Sequence, residues 1–478
     1  MSRVSEEISS RIITNSGINF GTSGARGLVE QLTDDVCSAF TTAFLAEMKR
    51  HFPFERVAIG IDRRPSSPEM AAACAGVAKA IGLGVDYYGV LPTPAIALQA
   101  MTDGIPAIVI TGSHIPFDRN GIKFYRPDGE ISKADEHAIL NNQTPLPQYQ
   151  PALLEISDRA KDHYIARYTD LYPAKVLNGL RIGLYEHSSA GRDINREIFE
   201  RLGAEVISLG RTEQFVPIDT EAVSEADRKK GETWALEHNL DAIFSTDGDG
   251  DRPLLADERG NWLRGDILGL LCAKSLGVEA LAVPVSCNTA IELSGNFKAI
   301  SRTRIGSPYV IEAMEQLADI HQTVAGFEAN GGFLSATDIN VAETTIKALP
   351  TRDAILPALV VLTATKASQK PLSALIAELP ARYTASDRIT DFHTEKSQQL
   401  IARWKNNPEL LVTELELPVS VLTIDFTDGL RATLQNHRIL HLRPSGNAPE
   451  LRCYCEAETP QEVDELLAQC LQQLSKYA

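Results

Sequence analysis

The 478-residue sequence predicts an α/β protein built from three similar mixed α/β units and a smaller α+β C-terminal unit. Three observations predict it. Strand-like and helical apolar patterns alternate in three successive cycles, as crossover connections onto a sheet require. A polar, Pro-rich stretch at 141–151 (NNQTPLPQYQP) separates the first cycle from the second. After 367–370 the pattern changes to extended segments closed by one helix.

Each cycle can be read in order. In the first, 34–51 has the period of an amphipathic helix, 57–61 is a short buried strand, 67–81 is Ala-rich and helical, and 85–90 is again strand-like. The apolar run 108–111 stops at a loop. The second cycle has a strand at 180–185, a helix at 192–202 and a strand at 204–209. Its last strand, 242–245, runs into Thr246-Asp-Gly-Asp-Gly-Asp-Arg252. The third spans 254–365, with strands at 281–285 and 323–326. The tail has extended segments at 421–426 and 451–456, then a helix from 460 to 476. The expected domains are 1–150, 151–255, 256–370 and 371–478, a division that suits a length too great for one core. No sequence repeat is evident between the cycles, so their likeness is architectural.

The formal net charge of −17 argues against nucleic acid or an anionic membrane as partner. No stretch has the ~18 consecutive apolar residues of a membrane span, and residues 1–15 lack the apolar core of a signal peptide. The seven cysteines include no CxxC pair, which disfavours a zinc or redox motif. Cys453 and Cys455 share one strand face. Reduced thiols and a cytoplasmic location are the expectation.

Four segments carry chemistry. Thr111-Gly-Ser-His-Ile-Pro116 puts Ser113 on an exposed turn after a strand, where open α/β sheets carry reactive groups. It lacks the GxSxG elbow of an esterase, and a hydrogen-bonding turn serine is the plainer alternative. Asp247-Gly-Asp-Gly-Asp251 lets one tight loop aim Asp247, Asp249 and Asp251 at a hard cation such as Mg²⁺ or Ca²⁺. The twelfth loop position, counting Asp247 as the first, is Glu258, but Arg252-Pro253 and Leu254-Leu255 spoil an EF-hand reading. Without a cation the three carboxylates repel one another. Arg443-Pro-Ser-Gly-Asn447, with Arg452 beyond it, offers Arg443, Ser445, Gly446 and Asn447 as a phosphate cradle. Gly326-Phe-Glu-Ala-Asn-Gly-Gly332 sets Glu328 and Asn330 two apart, a spacing suited to adjacent sugar hydroxyls or to an ordinary Gly-rich hairpin.

In this order the four segments resemble the α-D-phosphohexomutase family over essentially the whole chain, most like its bacterial phosphomannomutase/phosphoglucomutase members. Phe20-Gly-Thr-Ser-Gly-Ala-Arg-Gly27, Gly60-Ile-Asp-Arg-Arg-Pro-Ser-Ser67 and Thr303-Arg-Ile-Gly-Ser307 add matches. The resemblance implies three related α/β domains and a smaller fourth around a central cleft. It implies that Ser113 is a phosphoserine and that Asp247, Asp249 and Asp251 share Mg²⁺ with its phosphate. Arg26, His114, Lys123 and Arg252 are then expected at the reacting phosphate, Lys123 either accepting a proton or only binding phosphate. Glu328 and Asn330 would hold sugar hydroxyls, with Arg304, Gly306 and Ser307 in a further sugar-contacting segment. Arg443, Ser445, Gly446, Asn447 and Arg452 would hold the distal phosphate. Gly112, Ile115, Phe327, Asn330, Asn447 and Ala448 depart from common family residues, which bears on the sugar rather than on the chemistry.

The implied reaction interconverts hexose 6-phosphate and hexose 1-phosphate through a bisphosphorylated sugar, with hexose 1,6-bisphosphate as activator and mannose ranked first. Phosphoglucomutase and phosphoglucosamine mutase are the alternatives within the class. Outside it stand a sugar-phosphate-binding paralogue without turnover and a phosphatase using Asp247 as nucleophile, which would not need Ser113. Monomer and dimer both remain open.

Overall fold

The structure, a computed structural model, describes residues 8–21, 24–341, 344–445 and 449–477. The long helix Asp34–His51 shows how locally the elements are specified. The Thr33 hydroxyl accepts the Val36 N–H, Asp34 and Asp35 lie in the first turn, and Lys49, Arg50 and His51 in the last. That is the charge order the helix dipole favours. Its apolar face is buried, Phe40 and Phe44 meeting Phe124 of the first sheet, and the helix also packs against the helix Ser67–Ala80. The alanines of that second helix allow close approach.

The first sheet has the spatial order Asn19–Phe20, Ala25–Leu28, Arg119–Arg126, Ala107–Ile110, Arg56–Ile61, Gly84–Val90, with Gly129–Glu130 beside Arg119–Arg126. The second runs Pro253–Ala256, Ala242–Thr246, Arg181–Tyr185, Glu205–Leu209. In the third, Ala299–Thr303, Ala280–Pro284 and Val324–Phe327 are parallel, and Phe333–Ser335 and Leu349–Asp353 antiparallel. The fourth is wholly antiparallel: Tyr383–Ile389, Leu451–Ala457, Ile439–Pro444, Leu430–Leu434, Val421–Asp425. The chain is thus a mixed α/β protein with three related sheets and a smaller α+β tail. The expected strands and helices fall within two residues of those observed.

One apolar cluster runs continuously from Ile96 and Val109 in the first unit through Leu184 and Phe244 to Leu281 and Phe327 in the third. The tail has its own core around Trp404, Leu442 and Leu466. Polar contacts tie the two together. Arg382 Nε donates to Glu456 Oε1 (2.6 Å), the Thr289 N–H to Glu456 Oε2 (3.1 Å), and Asn288 Nδ2 to the Arg382 carbonyl (2.9 Å).

The four chemistry-bearing loops share a construction the sequence did not disclose. Each connects a strand to its antiparallel neighbour, and a backbone hydrogen bond closes each base. These bonds are Thr111 N to Gly121 O (3.0 Å), Asp247 N to Arg252 O (3.1 Å), Glu328 N to Gly332 O (3.3 Å) and Ser445 N to Glu450 O (2.9 Å). Hairpins close with few residues, so their tips are held at low entropic cost.

Candidate active site

Ser113 is fully buried, not on the exposed turn expected from sequence. The cause is Arg64, whose guanidinium donates to the carbonyls of Ser113 (3.1 Å), Ile115 (2.5 Å), Pro116 (2.7 Å) and Arg119 (2.8 Å) and draws the loop inward. Asp62 anchors that arginine from below (3.2 Å), and the Phe215 ring covers it at 4.0 Å. Gly112 follows from this packing, because a Cβ there would stand 2.6 Å from the guanidinium carbon. Ser113 itself has φ 54°, a left-handed conformation held by its N–H bond to Thr111 Oγ1 (2.8 Å).

The second hairpin closes over this serine. Ser113 Oγ donates to Asp247 Oδ2 at 2.6 Å. Gly248 passes so close that a Cβ would lie 2.7 Å from the Ser113 carbonyl oxygen. Lys123, on the strand Arg119–Arg126, reaches back to Asp249 Oδ2 (2.5 Å) and Asp251 Oδ2 (2.6 Å). Arg252 Nη1 donates to His114 Nδ1 (2.7 Å), which fixes that nitrogen as an acceptor. Burial, then the charges of Arg252 and Arg26, hold the His114 pKa down to about 2, so the ring is neutral. Burial and Arg252 likewise bring Arg26 down to about 10, and its Nη2 is buried without a partner.

The carboxylate triad fits a hard cation. Its oxygens lie within 4.8 Å of one another, and Oδ1 of both Asp249 and Asp251 is buried with no hydrogen-bond partner. Burial and the charges of Asp249 and Asp251 push Asp247 well above the carboxylate range. For Asp249 burial acts the same way, but Lys123 outweighs it and holds the group low. Asp251 is also held low against burial, chiefly by Arg352 and Lys123. An oxygen-only, strongly anionic set of this kind suits Mg²⁺ in preference to softer ions.

Around this centre the structure gathers Glu328 and Ser307 through Arg352. Its Nη1 donates to Glu328 Oε2 (3.1 Å) and to Ser307 Oγ (3.4 Å). Asn330 turns inward, its Oδ1 accepting the Gly332 N–H (3.0 Å). A second cluster forms where the third unit meets the tail. Asp428 Oδ2 accepts from Ile305 N (3.0 Å) and from Arg443 Nε (2.9 Å), and Arg304 Nε donates to the Thr427 carbonyl (3.1 Å). Gly306, with φ 130°, makes the turn into the helix Ser307–Ala318. Arg452 keeps its Nε buried without a hydrogen bond. Gly446 and Asn447 lie outside the described residues, as do Thr22 and Ser23 of the N-terminal motif.

Sequence reasoning missed the roles of Arg64 and Asp62, although their motif was noted, and missed Arg352 and Glu130 entirely. The signal for the first pair was a charged Asp-Arg-Arg run at the end of an apolar strand. A second cluster, Cys453, Cys455 and Cys470, has sulfurs within 4.8 Å. Spacing did not reveal it because Cys470 comes from the closing helix Pro460–Leu474. All seven cysteines are buried free thiols.

Comparison with known proteins agrees with this geometry. Residues 17–148 match the profile for phosphoglucomutase/phosphomannomutase α/β/α domain I, 264–383 that for domain III, and 372–473 that for the C-terminal domain. A phosphomannomutase of Salmonella muenchen is 54% identical over 453 residues, 95% of this chain and 94% of that protein. One of Sinorhizobium fredii is 46% identical, covering 95% and 98%. A phosphoglucomutase/phosphomannomutase family protein of Burkholderia thailandensis has the same fold, with a TM-score of 0.76, 18% identity and 98% of each chain covered. The chain belongs to the phosphoglucomutase/phosphomannomutase family and is an isomerase of the phosphohexomutase class.

Proposed function

We propose that the chain interconverts hexose 6-phosphate and hexose 1-phosphate, mannose being the favoured sugar, by way of a phosphorylated Ser113. The single observation that carries this is Ser113 Oγ at 2.6 Å from Asp247, inside a buried cluster of three carboxylates and Lys123. A phosphatase with Asp247 as nucleophile has no use for a serine there.

Asp247, Asp249 and Asp251, with the phosphate on Ser113, would hold Mg²⁺. When bound, that ion supplies neutralisation of the charge on the transferring group. The residues do the rest. A sugar hydroxyl attacks phosphorus, its new O–P bond forming as the bond from phosphorus to Ser113 Oγ breaks. The hydroxyl proton leaves for a nearby base; Lys123, which donates to Asp249 and Asp251 as an ammonium, can take that part only after giving up a proton, and otherwise binds the phosphate. The bisphosphorylated sugar then turns over, and its other phosphate returns to Ser113 Oγ. Arg26, His114 and Arg252 stabilise the reacting phosphate, and burial, aided by Arg252, keeps His114 neutral. Arg443, Ser445, Gly446, Asn447 and Arg452 grip the distal phosphate, which positions the sugar without reacting. Glu328, Asn330, Arg304, Gly306 and Ser307 meet the sugar. Hexose 1,6-bisphosphate would restore the phosphoserine. Among the described residues no helix is long and apolar enough to cross a membrane, and the seven free thiols support a reducing, cytoplasmic setting.

The test is mutase turnover with Mg²⁺ and hexose 1,6-bisphosphate, comparing mannose, glucose and glucosamine 1-phosphates by kcat/KM. Ser113→Ala is expected to lose at least about 10³-fold in kcat while remaining folded. An active Ser113→Ala would reject the phosphoserine route. Preference for another sugar would replace mannose and keep the chemistry. Folded, phosphorylated protein inactive on all three would favour a binding paralogue.

A further inference from the structure

We propose that Arg352 is a positioning residue that locks the sugar loop to the metal loop, presetting Glu328 for its ligand. The proposal rests on the sugar-phosphate reading of the site. Arg352 is the penultimate residue of the strand Leu349–Asp353 and its side chain is 1% exposed. Its stem crosses Gly332, where a Cβ would stand 2.6 Å from both Cγ and Cδ of the arginine. Glycine at 332 is therefore what admits it. Nε and Nη2 both lie 3.1 Å from Asp251 Oδ2, on the metal loop. Nη1 donates to Glu328 Oε2 at 3.1 Å, on the sugar loop.

The lock extends into the first unit. Ser307 Oγ, which accepts from Arg352, donates its own proton to Glu130 Oε2 (2.6 Å). Thr351 Oγ1 donates to the other oxygen of Glu130 (2.8 Å). One guanidinium thus joins the second and third units directly, and reaches Glu130 of the first through Ser307. Asp251 and Glu328 are buried anions, and the planar fork between them sets their separation as well as their charge balance. A lysine would supply the charge as a point and could not hold both carboxylates at fixed angles.

The test reads ligand affinity, which needs no turnover. Dissociation constants for mannose 1-phosphate and for inorganic phosphate are measured by calorimetry on Arg352→Gln, Glu328→Gln, the double variant and Gly332→Ala. Arg352→Gln is expected to weaken mannose 1-phosphate about 10-fold and inorganic phosphate less than about 2-fold. Glu328→Gln is expected to cost about 10-fold alone and less than about 2-fold when Arg352 is already gone. Gly332→Ala keeps the guanidinium but displaces its stem, so it should reproduce the Arg352→Gln loss. Equal costs of Glu328→Gln in both backgrounds would overturn the proposal. So would a loss of inorganic phosphate as large as that of the sugar phosphate, since that marks general disruption. Normal coupling without mutase turnover in the wild type would retain Arg352's role and reject the mutase reading. No binding of mannose 1-phosphate by the folded wild type would reject both.

Discussion

His441 illustrates how much one buried side chain decides. Its Nε2–H donates to the Asp428 carbonyl at 2.6 Å, its ring stacks on Tyr454, and burial holds its pKa down to about 4. In the unfolded chain histidine titrates near 6.5. The unfolded state therefore binds the proton first, and stability present above pH 6.5 is lost as pH falls toward 4. Between pH 7 and 5 this one group should cost about 2 kcal/mol. Thermal denaturation at the two pH values should show His441→Gln losing less stability than the wild type, and equal losses would exclude the residue as a source. Arg64 makes the same point for catalysis. It touches no reacting atom, yet four carbonyls of the serine loop depend on it.

At the scale of elements, the metal hairpin trades stability for function. Lys123 faces Asp249 and Asp251, whereas burial and the charges of those two push Asp247 well above the carboxylate range. Asp247→Asn should raise the melting temperature in EDTA, abolish the rise that Mg²⁺ gives the wild type, and lower kcat by at least about 10³-fold. A variant less stable than wild type in EDTA would show that the loop tolerates its charge. Elements were also where the sequence was most legible. The helix 34–51 and strands 57–61 and 242–245 combined strong periodicity with clear stops. The metal loop was readable because repeated Asp and Gly have few other uses, and the four motifs declared the family by their order. The strand Arg119–Arg126 went unread because Asn120-Gly121 is a turn signal, here overridden by pairing on both sides. Ser113 was misplaced because exposure depends on Arg64 and Gly248, distant in sequence. Arg352 sits in a short, polar strand where periodicity says nothing about what the side chain bridges.

For the whole molecule, the decisive contrast is an apolar cluster shared by three units, alongside clusters of their own, and a tail whose core stands apart. Arg382 and Glu456 pair within the tail, and both also bond to Thr289 of the third unit, which binds the tail to the rest. Arg382→Ala leaves a buried carboxylate short of its cation, which should destabilise the tail by about 3–5 kcal/mol. Calorimetry should then resolve its unfolding as a separate, earlier transition. A single endotherm at the wild-type temperature would mean that other contacts carry the junction.

The backbone-closed base of each chemistry-bearing hairpin has a consequence for how such an enzyme diversifies. Because both ends of each loop are already bonded to each other, its tip can change composition without asking the sheet to shift register. On the roles proposed above, substrate preference would then be rewritten at 328–332 or 445–450 while Ser113, Asp247 and Lys123 stay in place. The fold behaves as a socket with four separately replaceable pins, and only the wiring between pins, such as Arg352, must change with them.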